Sequence, residues 1–440
     1  MCPFKQSVSI FLSFVFVGLF ASNVLAIEKS ASYATAMESI ATNELRQHVD
    51  YLAQDDLEGR EAGSRGGHEA GDYLRQLFEK LGLLATGDDG RYFQHFAPNF
   101  RNVLGMIEGS DPKLKQQVIV VGAHYDHVGY GTRRNSRGPI GYVHNGADDN
   151  ASGTSGLVEL VEAFSMLAQP PKRSILFAAW DAEEKGLLGS KHWTANPTVP
   201  LERVVFLFNM DMIGRLRQNQ LIILGSRTGF GLRRLTSRKN DHGLAIDFSW
   251  DFKPNADHAP FFDRGIPVLT FHTGKHAEYH RPSDDAHLIN NSGMRQVVQF
   301  AFATVYELAN RTEPIAFREA AGYETPAMLR QLTERQVPKV DMNTKLDGKP
   351  LRIGITWQVD SAEPGTIILT HVVPGSPAER AGLEVGDRIY RVSGRPFDND
   401  AHFVKLTEKA ANSLELLIER NGRVRAVTVD LSPKPIRRAA

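Results

Sequence analysis

One stretch constrains this chain more than any other: residues 118–153, which open on VIVVGAHYDH and close on NGADDNASG. Val118 to Val121 is an apolar, β-branched run, the pattern of a strand buried on both faces. It ends abruptly in His124 and Asp126, and after a polar loop the stretch closes on Asp148, Asp149 and Asn150. Ligands of open α/β sheets bind beyond the carboxyl ends of strands, so these side chains stand where chemistry is usually done.

The pattern recurs three times. Ser174 to Trp180 delivers Asp181, Glu183 and Glu184; Val204 to Asn209 delivers Asp211; Ile266 to Phe271 precedes His272, His276 and His280. Helical spacing appears between and before these runs, with Leu157, Leu160, Val161 and Phe164 on one face of 153–164, and Ala70, Tyr73, Leu74, Leu77, Phe78 and Leu81 ahead of Gly82. Strands alternating with helices predict a three-layer α/β/α domain with a largely parallel mixed sheet. Four strands then aim His or carboxylate groups at one rim. The glycine-rich stretch from Leu57-Glu58-Gly59-Arg60 to Gly67 has no preceding strand and no closing Gly-Lys-Ser/Thr, so it reads as a turn, not a phosphate loop.

At 440 residues the chain can hold one large domain and a smaller one. Its 51 basic and 51 acidic residues leave no net field to gather nucleic acid or an anionic membrane, and both partners are discounted. Lys5, the apolar stretch Ile10 to Phe20 and the short side chains at Val24-Leu25-Ala26 have the layout of a signal peptide over residues 1–26, with no membrane attachment expected after cleavage. The only cysteine is Cys2, so the mature chain would hold no disulfide. This points to a bacterial periplasmic or secreted protein in which any metal site is built from His, Asp and Glu.

Each piece of the rim is weak alone. A His-x-Asp pair is usually structural, Glu183-Glu184 could be a solvated turn, and Asp148-Asp149 could be a loop or helix cap. Together the strand ends bring five potential nitrogen and oxygen ligands and a spare carboxylate to one face, a set suited to zinc, cobalt or manganese. Two divalent ions fit the charge better than one, since three carboxylates and a hydroxide balance them while the imidazoles stay neutral. Metals about 3.5 to 4 Å apart can polarise a carbonyl and activate water at neutral pH, as amide hydrolysis requires.

In order, GAHYDH, GADDNASG, DAEEKGLLGS, NMDMIGR and YHRPSDD resemble the motif set of the di-zinc aminopeptidase family that includes the bacterial leucyl aminopeptidases and aminopeptidase S, relatives of glutaminyl cyclase and glutamate carboxypeptidase. The resemblance covers about residues 40 to 310. It implies two Zn2+ per chain, with Co2+ or Mn2+ able to replace them, bridged by Asp149. His124 and Asp211 would complete one metal's shell, and Glu184 and His280 the other's. Glu183 would be the general base, and Asp126 would orient His124 through its other ring nitrogen. Asp149 is preferred to Asp148 because the family's bridging Asp stands four residues before the Gly of a Ser-Gly pair, here Gly153, and the Asp149–Asn150 peptide bond is expected to be cis. His280 is preferred to His272 and His276 for its Tyr-His-x-Pro context, while His127, His144 and His258 are read as ordinary hydrogen-bonded residues. Residues 256–261 resemble a substrate-side segment of the family, with Ala256 where Ser is common, and receive no role. The implied reaction is hydrolysis of the N-terminal peptide bond of peptides. The alternatives are a carboxypeptidase, a glutaminyl cyclase-like enzyme, whose single-zinc site does not need the His124 and Asp211 half, or a non-catalytic peptide-binding protein.

Residues 312–349 read as a polar linker with some helix. Beyond it lie short strands, a hairpin turn at Asn421-Gly422, and a small helix with Ser376 as N-cap, Pro377 at its first position and Gly382 at its stop. The segment PGSPAERAGLEVGDRIYRVSGRPF resembles the core of a PDZ domain of the kind attached to exported bacterial proteases. That implies a small, mainly-β domain binding peptide or protein C-termini by strand addition, with backbone N–H groups of Arg352 to Ile355 holding the carboxylate; a module that only packs on the catalytic domain is the alternative. The expected division is a signal peptide (1–26), a peptidase domain (27–311), the linker (312–349) and a PDZ-like domain (350–433).

Overall fold

The computed structural model describes residues 31–96, 98–333 and 353–432. The expected signal peptide, residues 334–349 of the expected linker, and Arg352 lie outside them. Among the described residues, nine strands form the larger sheet: β1 (Leu84–Ala85), β2 (Phe93–Phe96), β3 (Phe100–Ile107), β4 (Val118–His124), β5 (Ser174–Trp180), β6 (Val204–Met210), β7 (Gln220–Leu224), β8 (Ala245–Phe248) and β9 (Val268–His272). Their order is β1-β3-β5-β4-β6-β9-β7-β8, with β2 paired to β3. The central run β5-β4-β6-β9 is parallel, while β3 and β7 join it antiparallel. This is the mixed sheet expected, parallel through its four central strands and antiparallel at several flanking pairings. The last central strand begins and ends later than its apolar run suggested, at Val268 and His272.

The continuous apolar runs have a direct cause. Ile119, Val121 and Ala123 face one core with α1 (Tyr33–Ser39), α2 (Thr42–Leu52), α3 (Arg65–Lys80), α4 (Gly153–Met166) and, later in the chain, Phe300 and Val305. Val118 and Val120 face a second core with Trp193 of α5 (Leu188–Ala195) and Val204. Alternate side chains enter opposite cores, so no polar face interrupts the strand. The remaining helices are α6 (Leu232–Lys239), α7 (Ala259–Phe262), α8 (Asn291–Asn310) and α9 (Pro326–Thr333), the last within the expected linker. Among the described residues, no helix is long and apolar enough to cross a membrane.

The C-terminal domain is a separate, all-antiparallel sheet of β10 (Ile355–Val359), β11 (Ile367–Val372), β12 (Arg388–Val392), β13 (Ser413–Arg420) and β14 (Arg423–Asp430), with α10 (Pro377–Arg380) and α11 (Asp400–Glu408). Ser376 caps α10 by accepting the Glu379 amide, Pro377 opens that helix, and Asn421 and Gly422 turn the β13–β14 hairpin with φ of 51° and 77°. Helix α11 escaped the sequence reading because it carries little apolar periodicity; Phe403 is its anchor, packed on Trp357 and Phe397.

The two domains are docked through buried charge. Arg233 of α6 holds Glu419 of β13 by paired bonds of 2.8 and 3.0 Å, and Arg227 bonds Asp360 at 2.7 Å. Glu363 accepts the Arg233 and Arg234 amides at the start of α6, which has no side-chain cap within its own domain. The Asn421 carbonyl accepts the Ile246 amide of β8 at 2.8 Å. Glu419 is fully buried, so Arg233→Leu should leave an unpaired interior carboxylate and cost about 3 to 5 kcal/mol. The expected result is a separate, earlier unfolding step in calorimetry; a wild-type profile would contradict this account of the docking.

Candidate metal centre

Strands β4, β5, β6 and β9 end on one rim of the sheet. His124 is the last residue of β4, Asp211 follows β6, Glu183 and Glu184 follow β5, and His280 lies in the segment after β9. Asp149 stands in the turn before α4, and its bond to Asn150 is cis. Its two carboxylate oxygens point to different imidazoles. Oδ1 is 3.4 Å from His124 Nε2, and Oδ2 is 3.1 Å from His280 Nε2. Asp211 Oδ1 stands 3.7 Å from His124 Nε2, and Glu184 Oε1 stands 3.3 Å from His280 Nε2. The five residues expected as ligands are thus brought together around Asp149.

The donor set fits a pair of metal ions. His124 Nε2, His280 Nε2 and Glu184 Oε1 are buried without a hydrogen-bond partner, which is costly unless a cation or proton holds them together. The ligand atoms fall into two overlapping groups that share Asp149: His124, Asp149 and Asp211, and His127, Asp149 and Glu184. His127 corrects the sequence reading. It makes no ordinary hydrogen bond through either ring nitrogen, and its Nδ1 lies 3.0 Å from Glu184 Oε1. The loop after β4 folds back against Arg60, whose carbonyl accepts the His127 amide, and so turns this ring into the site. His144 and His258 behave as read, bonded to Ser136 and Tyr142 and to Lys253 and Thr270. His276 pairs with Asp148 at 3.2 Å, and His272 accepts the Gly274 amide.

The supporting shell is built from backbone groups. His124 Nδ1 meets the Asp126 carbonyl oxygen at 3.2 Å, whereas the Asp126 carboxylate is 3.7 Å away. That carboxylate accepts the amides of Glu183 and Glu184 instead, so Asp126 positions the acidic pair as well as the imidazole. Asp284 accepts the amides of Asp148 and Asp149. Asn150 bonds Met210, Met212 and Gly153, tying the end of β6 to the start of α4. A Cβ at Gly153 would lie 2.3 Å from Asn150 Oδ1, so only glycine permits this approach. Buried Arg60, in what the sequence presents as a turn, donates to the carbonyls of Leu52, Tyr125, Asn145 and Gly146. Its reach across the chain leaves no local signal.

Charge sets the protonation states. Burial alone would raise Asp149, but His124 and His280 hold it well below the usual carboxylate range. Glu184 is likewise held down at about 2 by His127 and His280, against burial and the neighbouring Asp149. His280 opposes its own burial and is pushed up to about 10 by Asp149 and Glu184. Glu183 moves the other way: burial, then Glu184, Asp257 and Asp211, push it well above its ordinary value against the pull of His124. The two neighbouring acids are thus pushed in opposite directions, an arrangement suited to dividing ligand and base roles. Beyond them opens a cleft of about 460 Å³, walled by apolar Met212, Ile222 and Leu224 and by charged Asp251 and Lys253.

Comparison with known proteins places the two domains in known families. A model described as peptidase family M28 matches residues 102–305, and a PDZ domain model matches residues 368–420. Leupeptin-inactivating enzyme 1 of Streptomyces exfoliatus is 27% identical over 283 residues, covering 62% of this chain and 59% of the relative. Aminopeptidase YwaD of Bacillus subtilis is 28% identical over 223 residues, covering 48% of this chain and 45% of the relative. The chain therefore spans less than two thirds of the length of either curated relative. Among solved structures, the Legionella pneumophila LapA aminopeptidase superposes with a TM-score of 0.53 at 22% identity, covering 64% of this chain and 75% of that one. An aminopeptidase from Aneurinibacillus sp. strain AM-1 gives 0.51 at 16% identity, covering 65% and 98%. At these identities the likeness is one of fold.

A metal ion bound here would compete with protons for the same imidazoles. The stability that a folded-state pKa raised from 6.5 to about 10 gives through His280 is fully present below 6.5 and lost as pH rises through about 10. A metal ion held by His280 would need the neutral ring and would replace that proton. The gap in thermal stability between metal-loaded and chelator-treated protein should therefore widen from pH 6.5 towards pH 10. A gap independent of pH would contradict this pairing.

Proposed function

Since residues 102–305 are a peptidase family M28 domain and residues 368–420 a PDZ domain, we propose that this chain is an exported zinc aminopeptidase that hydrolyses the N-terminal peptide bond of peptides. The observation that carries the reading is the carboxylate of Asp149, with one oxygen towards His124 and Asp211 and the other towards His280 and Glu184. In this reading His124, Asp149 and Asp211 would hold one ion and Asp149, Glu184 and His280 the other, with His127 against Glu184. Two such ions supply Lewis acidity and lower the pKa of water.

The chain's own groups do the rest. Glu183 takes the proton from the attacking water and returns it to the amine as the C–N bond breaks. Asp126 fixes the Glu183 backbone through its amide, so the base cannot swing out of register. Met212, Ile222 and Leu224 offer an apolar wall to the substrate's first side chain. The peptidase domain is assigned to residues 27–311 and the PDZ-like domain to 350–433. Strand β10 is the end strand of its sheet, with β11 on one side, which suits addition of a peptide C-terminus as a further strand.

Two experiments test the assignment. Glu183→Gln should keep the metal content and lower kcat by on the order of 10²- to 10⁴-fold; metal loss with turnover retained would overturn it. A peptide with free ends should be shortened from its N-terminus in a mass-spectrometric ladder, and N-acetylation should block the shortening. Shortening from the C-terminus would make the enzyme a carboxypeptidase.

A further inference from the structure

A second cluster of ligand-type side chains lies between α2 and α4, away from the rim of the sheet. Helix α4 is buried along most of its length, yet it carries Glu159 and Glu162, one turn apart on the same side. Facing them on α2 are Glu44 and His48, also one turn apart. One ligand oxygen from each of Glu44, Glu159 and Glu162 lies within 4.8 Å of the others.

A group of acids alone would say little, but Glu159 adds an independent observation. It is only 1% exposed, and its two oxygens are treated differently. Oε2 accepts the Ala41 amide at 3.1 Å, at the start of α2, whereas Oε1 is buried with no hydrogen-bond partner. That orphan oxygen lies 3.8 Å from His48 Nε2, across from α2. The other nitrogen of His48 is engaged with Tyr73 Oη at 2.6 Å. A histidine fixed through Nδ1 with Nε2 turned towards carboxylates is the usual presentation of a metal-binding imidazole.

We propose that Glu44, Glu159 and Glu162, with His48 at the edge, form a second cation site that takes one divalent metal ion between α2 and α4, independent of the catalytic pair. Three carboxylates and an imidazole are a hard-to-borderline set that suits Mn2+ or Zn2+. Lys80, which acts on both His48 and Glu162, offsets the negative charge left over by a dication. Without metal, burial and the acids Glu44 and Glu162 push Glu159 up to about 8, so a proton occupies the place the ion would take. The ion would brace two elements that frame the catalytic rim, because α4 begins directly after the Asp149 turn and α2 leads to the segment carrying Arg60.

The test is metal stoichiometry on the full chain. Protein stripped with chelator and dialysed against Mn2+, and separately against Zn2+, is assayed by atomic absorption alongside Glu159→Gln and the double variant Glu44→Gln/Glu162→Gln. With at least one metal, wild type should hold one equivalent more than either variant, while peptidase activity is unchanged. Equal metal content in wild type and variants with both metals would overturn the proposal. Should Glu159→Gln not fold, the double variant, whose side chains are half-buried, decides alone.

Discussion

The structure depends on holding many carboxylates in one dry place. Asp126, Asp148, Asp149 and Asp284 are buried at the same rim, with Glu184 close by. Like charges in a poorly solvated site raise one another's cost, and each must find a donor or a cation. Much of the surrounding architecture answers that requirement. Amides of Asp148 and Asp149 turn to Asp284, those of Glu183 and Glu184 turn to Asp126, and the amide of Gly214 turns to Asp148. Imidazoles stand between the oxygens that remain. Arg60, itself pulled down to about 10 by burial, adds the interior positive charge while spending its donors on carbonyls.

The sheet was legible because its central strands are buried on both faces, so Val118 to Val121 and Ser174 to Trp180 carry their signal in every residue. Some ligand-type residues were legible for a related reason: His124 closes such a run and Asp211 directly follows one, whereas Asp149 and His280 lie farther along the chain and were picked out by their motifs. What escaped rests on contacts remote in sequence. Arg60 looks like part of a glycine-rich turn until its guanidinium is seen to join Leu52, Tyr125 and Asn145. His127 looks structural until the loop after β4 is folded back on itself. The division of labour in Asp126, carbonyl to His124 and carboxylate to the Glu183–Glu184 amides, belongs to backbone geometry that no spacing encodes.

Docking of the two domains was illegible for the same reason. Helix α6 reads LRRLTSRK, a basic stretch that in isolation suggests a solvated face. In the fold, Arg233 stacks over Phe248 while reaching Glu419, and Arg227 stacks over Trp250 while reaching Asp360 and Glu324. The arginines are well suited to this, because a planar guanidinium can lie on an aromatic face and still bond carboxylates at its edge. Trp250 is followed by Asp251 and Lys253 on the wall of the cleft. The interface and the cleft are therefore neighbours along one short segment of chain.

Strand β8 ends the larger sheet on its side. A bare strand at that position would present its amides and carbonyls to any extended chain that came by, including the same strand of another molecule. Here the Asn421 carbonyl takes the Ile246 amide, and Gly422 lies so close that a Cβ would stand 2.5 Å from Ile246 Cδ1. The hairpin of the C-terminal domain thus acts as an end-stop, guarding the peptidase sheet against growth into aggregates by edge-to-edge pairing.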